Sequence, residues 1–306
     1  MPGAVSPARV SPSAQLHLVD ASPYIFRAFF SLPTSIQRPA GKPVNAVRGF
    51  GDFLAKLLVE ERPTHVLVAF DGSLTTSFRN DVYPAYKSSR ELPDADLVAQ
   101  LDASKNVAEA LGLATTLDDG YEADDLVATA RARFDGDFAR FTVVSADKDM
   151  TQLVDERTEF YDFGKSQRIG PNGVVEKMGV RPPQVRDLLG LAGDSVDDIP
   201  GVRGVGPKTA TALLAEFDDL DALYAGLDRV ATLSIRGAKT LGAKLEAARD
   251  DAFLSRELAT VAVDAPLPQE SPADLRRAPI DRTRLGRIGD ELGLDGLLRA
   301  ATRIEG

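Results

Sequence analysis

Three short runs of β-branched and apolar residues, each leading to an aspartate, constrain the fold of this 306-residue chain more than any other feature. Leu16 to Val19 leads to Asp20, His65 to Phe70 leads to Asp71, and Phe141 to Ser145 leads through Ala146 to Asp147. Between them lie stretches with the apolar spacing of helices: Val47 to Glu60, Ala95 to Leu111 and Asp124 to Phe134. Strands alternating with helices predict an α/β fold with a central, mostly parallel sheet flanked by helices. Such sheets bind ligands beyond the carboxyl ends of their strands. Asp20, Asp71 and Asp147 all fall at that edge. One such aspartate is an ordinary turn or helix-cap residue, but three at equivalent strand ends point to a site.

After about residue 185 no clear strand follows for a long stretch. Short helices punctuated by Gly and Pro are predicted at Pro183 to Leu191, Thr209 to Phe217, Leu220 to Leu227 and Gly237 to Leu254. Residues 264–281 hold repeated prolines and read as an extended connection before a last helix from Arg282 to Ala300. The expected organisation is a disordered tail at 1–14, an α/β core at 15–185 and a helical region at 186–306. The tail is rich in Pro, Ser and Ala, carries Arg9 as its single charge and lacks the apolar centre of a signal peptide. No apolar run approaches the roughly 20 residues of a membrane span, so a cytoplasmic protein is expected.

The chain has no cysteine and only two histidines, His17 and His65. Disulfides, cysteine-ligated zinc and a histidine-rich metal site are therefore excluded, and any bound metal must be a hard cation on oxygen ligands. Carboxylates are plentiful. Gly120-Tyr121-Glu122-Ala123-Asp124-Asp125 carries three in four residues, which repel one another unless a cation or a helix N-terminus offsets them. On an ideal helix Glu122 and Asp125 share a face and Asp124 points away, so either Glu122 precedes the helix or Asp124 serves a different metal. In Ala146-Asp147-Lys148-Asp149, alternate side chains of an extended segment put Asp147 and Asp149 together. In Gly193-Asp194-Ser195-Val196-Asp197-Asp198, a helical turn would align Asp194 with Asp197. Two divalent ions held by such a set can serve an in-line phosphoryl displacement. The net charge of −10 looks wrong for a nucleic-acid binder. Setting aside the carboxylates assigned to metal brings acidic and basic residues almost to balance.

Gly201-Val202-Arg203-Gly204-Val205-Gly206-Pro207-Lys208-Thr209 is a glycine-rich turn opening a helix. Its spacing is too short for a Walker A loop, and no strand precedes it as a dinucleotide fingerprint requires. It matches a hairpin between two helices that grips a DNA backbone without reading sequence, with Arg203, Gly204, Gly206, Lys208 and Thr209 at the contact. Arg236, Lys239, Lys244 and Arg249 add a basic helical surface. Ser77-Phe78-Arg79, Tyr83, Tyr86-Lys87 and Arg90 form a basic and aromatic segment whose cations can clamp a phosphate and whose tyrosines can stack on bases.

Taken in order, these motifs resemble the 5′-nuclease family that includes flap endonucleases and the N-terminal domain of bacterial DNA polymerase I. The resemblance runs from Leu16 to at least Val263. It is carried by Val19-Asp20 with Tyr24 and Arg27, Phe70-Asp71, Ser77-Phe78-Arg79, Tyr86-Lys87 with Arg90, Gly120 to Asp125, Ala146 to Asp149, and Gly193 to Gly206. It implies a PIN-like nuclease core followed by a helix-hairpin-helix (H3TH) region at about 186–217, and an arch or clamp at about 74–100. It implies a structure-specific 5′-3′ exonuclease or flap endonuclease using two magnesium or manganese ions. One ion would sit on Asp20, Asp71, Glu122, Asp124 and Asp125. The other would sit mainly on Asp147, Asp149, Asp194 and Asp197. Lys87 and Arg90 would stabilise the reacting phosphate, and Arg79 would bind or gate the 5′ strand. Tyr24, Arg27, Tyr83 and Tyr86 would contact DNA, and the hairpin would carry a potassium ion. DNA with 5′ ends, flaps or branches is the implied substrate, and a DNA polymerase the implied partner. The protein is expected to be a monomer, and a stand-alone enzyme because no polymerase domain follows. Two positions depart from the family pattern: Val196 and Asp198 stand where serine and asparagine are usual. Two other readings compete: a non-catalytic protein that recognises branched DNA through the hairpin, and a PIN-type ribonuclease. The complete carboxylate set argues against the first, and the long helical region against the second.

Overall fold

The computed structural model describes residues 14–91 and 94–305. The tail expected at 1–14 lies outside these, Ala14 excepted. In chain order the elements begin with β1 (Gln15–Asp20), α1 (Ser22–Ser31), α2 (Asn45–Glu61), β2 (His65–Asp71), α3 (Phe78–Val82), α4 (Ala95–Ala110), β3 (Ala114–Asp118), α5 (Ala123–Arg133) and β4 (Arg140–Val144). They continue with β5 (Thr158–Asp162), β6 (Gln167–Ile169), α6 (Pro171–Met178), α7 (Val185–Ala192), α8 (Pro207–Leu214), α9 (Leu220–Ala225), α10 (Leu227–Val230), α11 (Ala238–Ala247), α12 (Arg249–Ala259), α13 (Arg282–Leu292) and α14 (Gly296–Glu305).

The six strands form one sheet in the order β3-β2-β1-β4-β5-β6. All neighbours are parallel except β5 and β6, which run antiparallel. Both faces of the central strands are buried, which explains why they read as unbroken apolar runs. Alternate residues point to opposite layers. Leu16, Leu18, Leu67, Phe141 and Val143 pack with Leu126 and Val127 of α5 and with Leu188 and Leu189 of α7. Val19, Val66, Val68, Phe70 and Val144 pack with Phe50 and Leu54 of α2 and with Val107 of α4. The strand order reverses at β1, flanked by β2 on one side and β4 on the other. The crevice beyond their carboxyl ends is the place where such a sheet admits a ligand.

The helical region departs from the prediction in two places. The single helix predicted over Gly237 to Leu254 is two, α11 and α12, divided at Ala248. Alanine is no helix breaker, so the division comes from packing. α12 lies so close to α7 that a Cβ on Gly190 would sit 2.9 Å from the Arg256 Cβ and 3.0 Å from the Ala252 carbonyl oxygen. The last predicted helix is also two, α13 and α14, separated at Gly293, whose φ of 70° ends α13 in the left-handed conformation that glycine adopts at least cost. Both return to the sheet layer of α2 and α4 rather than extending the helical region. The amides of Arg277 and Asp281 donate to the carbonyls of Thr64 and Ala110, each at 2.9 Å. Arg284 pairs with Glu109 of α4 at 2.6 Å. Among the described residues no helix is long and apolar enough to cross a membrane.

Candidate metal centre

Eight of the nine carboxylates assigned to metal line one open pocket at the carboxyl edge of the sheet: Asp20, Asp71, Glu122, Asp124, Asp147, Asp149, Asp194 and Asp197. Lys87 and Arg90 line it too, as do Pro23 and Phe26 of α1. Asp20 and Asp71 close β1 and β2. Asp147 and Asp149 follow β4 at the start of a short 3-10 turn, where the Asp149 amide donates to Asp147 Oδ1 at 2.9 Å. Glu122 is the N-cap of α5 and so precedes the helix proper, which lets Asp124 turn into the pocket. Asp194 and Asp197 stand on the turn after α7, held by the paired amides and carbonyls of Asp194 and Ile199 at 2.9 and 2.8 Å. Two serines that the motifs did not single out steady the strand ends. Ser145 Oγ donates to Asp20 Oδ2 at 2.7 Å, and Ser22 Oγ donates to Asp71 Oδ2 at 2.5 Å. Each sits within two residues of a predicted carboxylate, the one signal that marked it.

So many acids in one buried place cannot all keep a charge without counter-ions. Burial, with Asp71 and Asp147 nearby, pushes Asp20 up to about 8. Burial and Asp147 push Asp149 up to about 7. Burial and the adjoining Asp125 hold Asp124 well above the usual carboxylate range. Glu122 goes the other way: burial favours its neutral form, but Lys87 and Arg79 outweigh that and lower its pKa. The Lys87 ammonium lies 2.6 Å from Glu122 and 3.8 Å from Asp197, and Arg90 pairs with Asp197. One buried oxygen, Asp149 Oδ1, has no hydrogen-bond partner at all. An all-oxygen donor set with raised carboxyls and an orphan ligand atom suits hard divalent cations.

The raised carboxyls carry a stability consequence whose sign is fixed. From the ordinary aspartate value up to about 8 for Asp20 and about 7 for Asp149, the native state holds protons that the unfolded chain has released. Their favourable contribution is complete below the ordinary range and is lost as pH rises through about 7 and about 8. The buried His17, lowered to about 4, works the other way up to the ordinary histidine value, so in chelator the melting temperature should fall from about pH 6.5 to about pH 8, and less steeply in Asp20→Asn. Magnesium at the upper pH should restore it. A flat wild-type profile over that window, indistinguishable from that of the variant, would contradict this picture.

Residues 15–179 match the family model described as "5'-3' exonuclease, N-terminal resolvase-like domain", and residues 180–283 match "5'-3' exonuclease, C-terminal SAM fold". The chain belongs to the 5′-3′ exonuclease family. Its relatives include DNA polymerase I of Rhizobium leguminosarum, 41% identical over 268 residues that make up 85% of this chain and 26% of that protein. DNA polymerase I of Bacillus subtilis is 38% identical over 288 residues, 93% of this chain and 32% of that protein. The chain thus spans between a quarter and a third of the length of these relatives. The fold is similar to that of a T5 5′-exonuclease solved with zinc, with a TM-score of 0.66 at 18% identity, covering 95% of this chain and 100% of that one. It is also similar to the catalytic core of Rad2 in complex with DNA substrate, with a TM-score of 0.61 at 16% identity, covering 96% and 92%.

Several expected site residues of this 5′-3′ exonuclease family chain are placed differently from their sequence assignment. Asp125 is fully buried, and both its oxygens are taken by Arg79 at 2.7 Å, although the carboxylates of Glu122, Asp124 and Asp125 all lie within 4.8 Å of one another. Arg79 and the amides of Glu122 and Ala262 together donate to all four lone-pair positions of the Asp125 carboxylate, which leaves none turned to a metal. Arg79 itself is 2% exposed and faces no open groove. Tyr86 is buried, with its hydroxyl donating to Glu122 at 3.1 Å, and so offers no ring face for stacking on DNA. Tyr24 is buried too, stacked on Phe53 with centroids 3.9 Å apart, and its hydroxyl accepts from the Phe163 amide. Arg27 is exposed but lies against Gly164, away from the pocket lining. Tyr83 is half-buried, packed beside Tyr86, Ile199 and Leu258.

The segment expected as an arch does not stand clear of the core in its described part. It is a strap pinned onto the hairpin turn. Asn80 Nδ2 donates within the strap to the Tyr86 carbonyl at 2.8 Å, while the Lys87 amide donates to the Asp197 carbonyl at 3.0 Å and the Ser89 amide to Asp198 Oδ2 at 2.8 Å on the turn. Lys87 takes a left-handed backbone, φ 55°, to make its contact. From Ala95 the chain is already α4. The unusual Asp198 thus has a visible partner in Ser89, whereas the Val196 side chain is left exposed. On the hairpin, Arg203, Gly204, Gly206 and Lys208 are exposed and Thr209 is half-buried. A Cβ on Gly204 or Gly206 would meet nothing within 4 Å, so this edge faces open space. Arg236 and Lys239 are exposed at the start of α11.

Proposed function

We propose that this chain is a metal-dependent, structure-specific 5′ nuclease that hydrolyses DNA phosphodiesters at 5′ ends, flaps or branches. The observation that carries the reading is the convergence of eight carboxylates, from strand ends, a helix start and the hairpin turn, on a pocket that also holds Lys87 and Arg90. Asp20, Asp71, Glu122 and Asp124 would hold one cation and Asp147, Asp149, Asp194 and Asp197 a second, magnesium or manganese by the hardness of the ligands. Two such ions would supply a nucleophilic water at neutral pH and would compensate charge on the departing 3′-oxygen. Asp125 drops out of the ligand set because Arg79 holds it.

Lys87 and Arg90 would meet the phosphate where its charge grows, at the cost of releasing Glu122 and Asp197 to the metals. The exposed Gly204 and Gly206 turn, opening α8 behind Arg203 and Lys208, would grip the backbone of the duplex, with Arg236 and Lys239 extending that contact. We also place a potassium ion on the hairpin carbonyls, and a polymerase as partner; the latter is supported by the polymerase names of the relatives. The test is product sizing on a 5′-flapped duplex with and without magnesium. Release of short 5′ fragments that stops in chelator supports the reading. Intact DNA in magnesium, bound but uncut, would leave a branched-DNA-binding protein instead.

A further inference from the structure

Arg79 makes more contacts than a buried arginine needs for its own charge. Its Nη1 and Nη2 grip the two oxygens of Asp125 at 2.7 Å each. Its Nε donates to the Leu258 carbonyl at 2.8 Å, and Nη2 donates also to the Thr260 carbonyl at 3.1 Å. The guanidinium lies 4.7 Å from the centroid of the Phe78 ring and 5.8 Å from that of Tyr86. One side chain thus ties together the strap, the N-terminus of α5 and the end of α12.

The stretch it grips is tied on its other side as well. Gln152 Nε2 donates to the Ala259 carbonyl at 3.1 Å, and Gln152 Oε1 accepts from the Val261 amide at 3.2 Å. Gln152 belongs to the 3-10 turn Lys148–Leu153 that carries Asp149. Asp125 in turn accepts from the amides of Glu122 at 3.1 Å and Ala262 at 2.7 Å. Residues 258–262 are therefore bonded to both halves of the carboxylate pocket. Asp125 and Arg79 are absent from the pocket lining, and Arg79 reaches a lining carboxylate only by a longer contact, Nη1 to Glu122 Oε2 at 3.5 Å.

We infer that Arg79 is a positioning residue, which sets Glu122 and Asp124 by clamping the intervening helix start, through Asp125, to the end of α12. This rests on the nuclease reading for its catalytic consequence, though not for its structural one. A fork of donors in one plane is what the arrangement uses, and lysine cannot supply it. Groups that orient metal ligands from behind typically govern affinity or activity by roughly 10–100-fold.

The experiment compares wild type with Arg79→Lys, which keeps a cation against Asp125. It measures steady-state cleavage of a flapped duplex and Mn2+ binding followed by electron paramagnetic resonance. Expected for Arg79→Lys are a kcat lower by about 10–100-fold, a KM for DNA within about threefold of wild type, and Mn2+ affinity weakened by about tenfold. A raised KM with unchanged kcat would make Arg79 a DNA contact and overturn the inference, as would unaltered Mn2+ binding. If wild type itself fails to cut, the nuclease reading falls, and the Mn2+ comparison still decides the positioning role. Should Arg79→Lys not fold, Arg79→Gln with Asp125→Asn removes both charges together and leaves no lone buried ion. That pair should show the same Mn2+ deficit, and wild-type binding would refute the clamp.

Discussion

Asp124→Asn is expected to abolish cleavage, lowering turnover by on the order of 10³-fold or more, while DNA binding in chelator stays close to wild type. Asp124 lines the pocket on the first turn of α5, with its carboxyl pushed up by burial and by Asp125. Asparagine keeps its shape and removes the charge, so the cation loses a ligand while the metal-free protein loses a repulsion. Asp147→Asn, in the same pocket, should behave alike. Binding survives because the surface proposed to hold DNA lies elsewhere, at Arg203, Gly204, Gly206 and Lys208. Single-turnover cleavage and a fluorescence binding titration read the two quantities apart. Full activity in either variant would remove it from the ligand set.

The second large effect belongs to Lys87. Its ammonium sits 2.6 Å from Glu122, in the space between the two groups of acids. Burial works against its charge, but Glu122 and Asp197 outweigh that and raise its pKa, so it is a cation throughout the working range. Lys87→Ala should lower kcat by about 10²–10³-fold, the usual cost of losing a preorganised charge at a reacting oxygen. DNA affinity should change only a few-fold, because one phosphate contact among many is lost. If binding collapsed while turnover of bound DNA stayed intact, Lys87 would be a capture residue and the strap a docking surface.

Much of this is legible in the sequence, for a physical reason. A parallel sheet buried on both faces forces unbroken apolar strands, and the polar residue that ends each run is automatically at the ligand edge. Asp20, Asp71 and Asp147 are such residues. The motif spacing then brought in Glu122, Asp149, Asp194 and Asp197. What the sequence leaves open depends on partners far away in the chain. Periodicity left Asp124 and Asp125 as neighbours with an ambiguous direction. The choice between them is made by Arg79, 46 residues earlier, and by the Ala262 amide, 137 residues later. Tyr24 and Arg79 are DNA contacts by the resemblance and Tyr86 by its aromatic character, and neither ground tells whether a side chain faces solvent or packs inside. Their burial follows from Phe53, Phe163 and the end of α12, which no local pattern announces. The return of α13 and α14 to the sheet layer belongs to the same class, since an amphipathic helix states that it has an apolar face and not what covers it.

Anomalous scattering from crystals soaked in manganese tests the central claim most directly. The expected result is two peaks inside the pocket bounded by Asp20, Glu122, Asp147 and Asp194, with Lys87 withdrawn from Glu122. Peaks only at unrelated surface acids, or a pocket that stays closed by Lys87 and Arg90 at saturating metal, would contradict it.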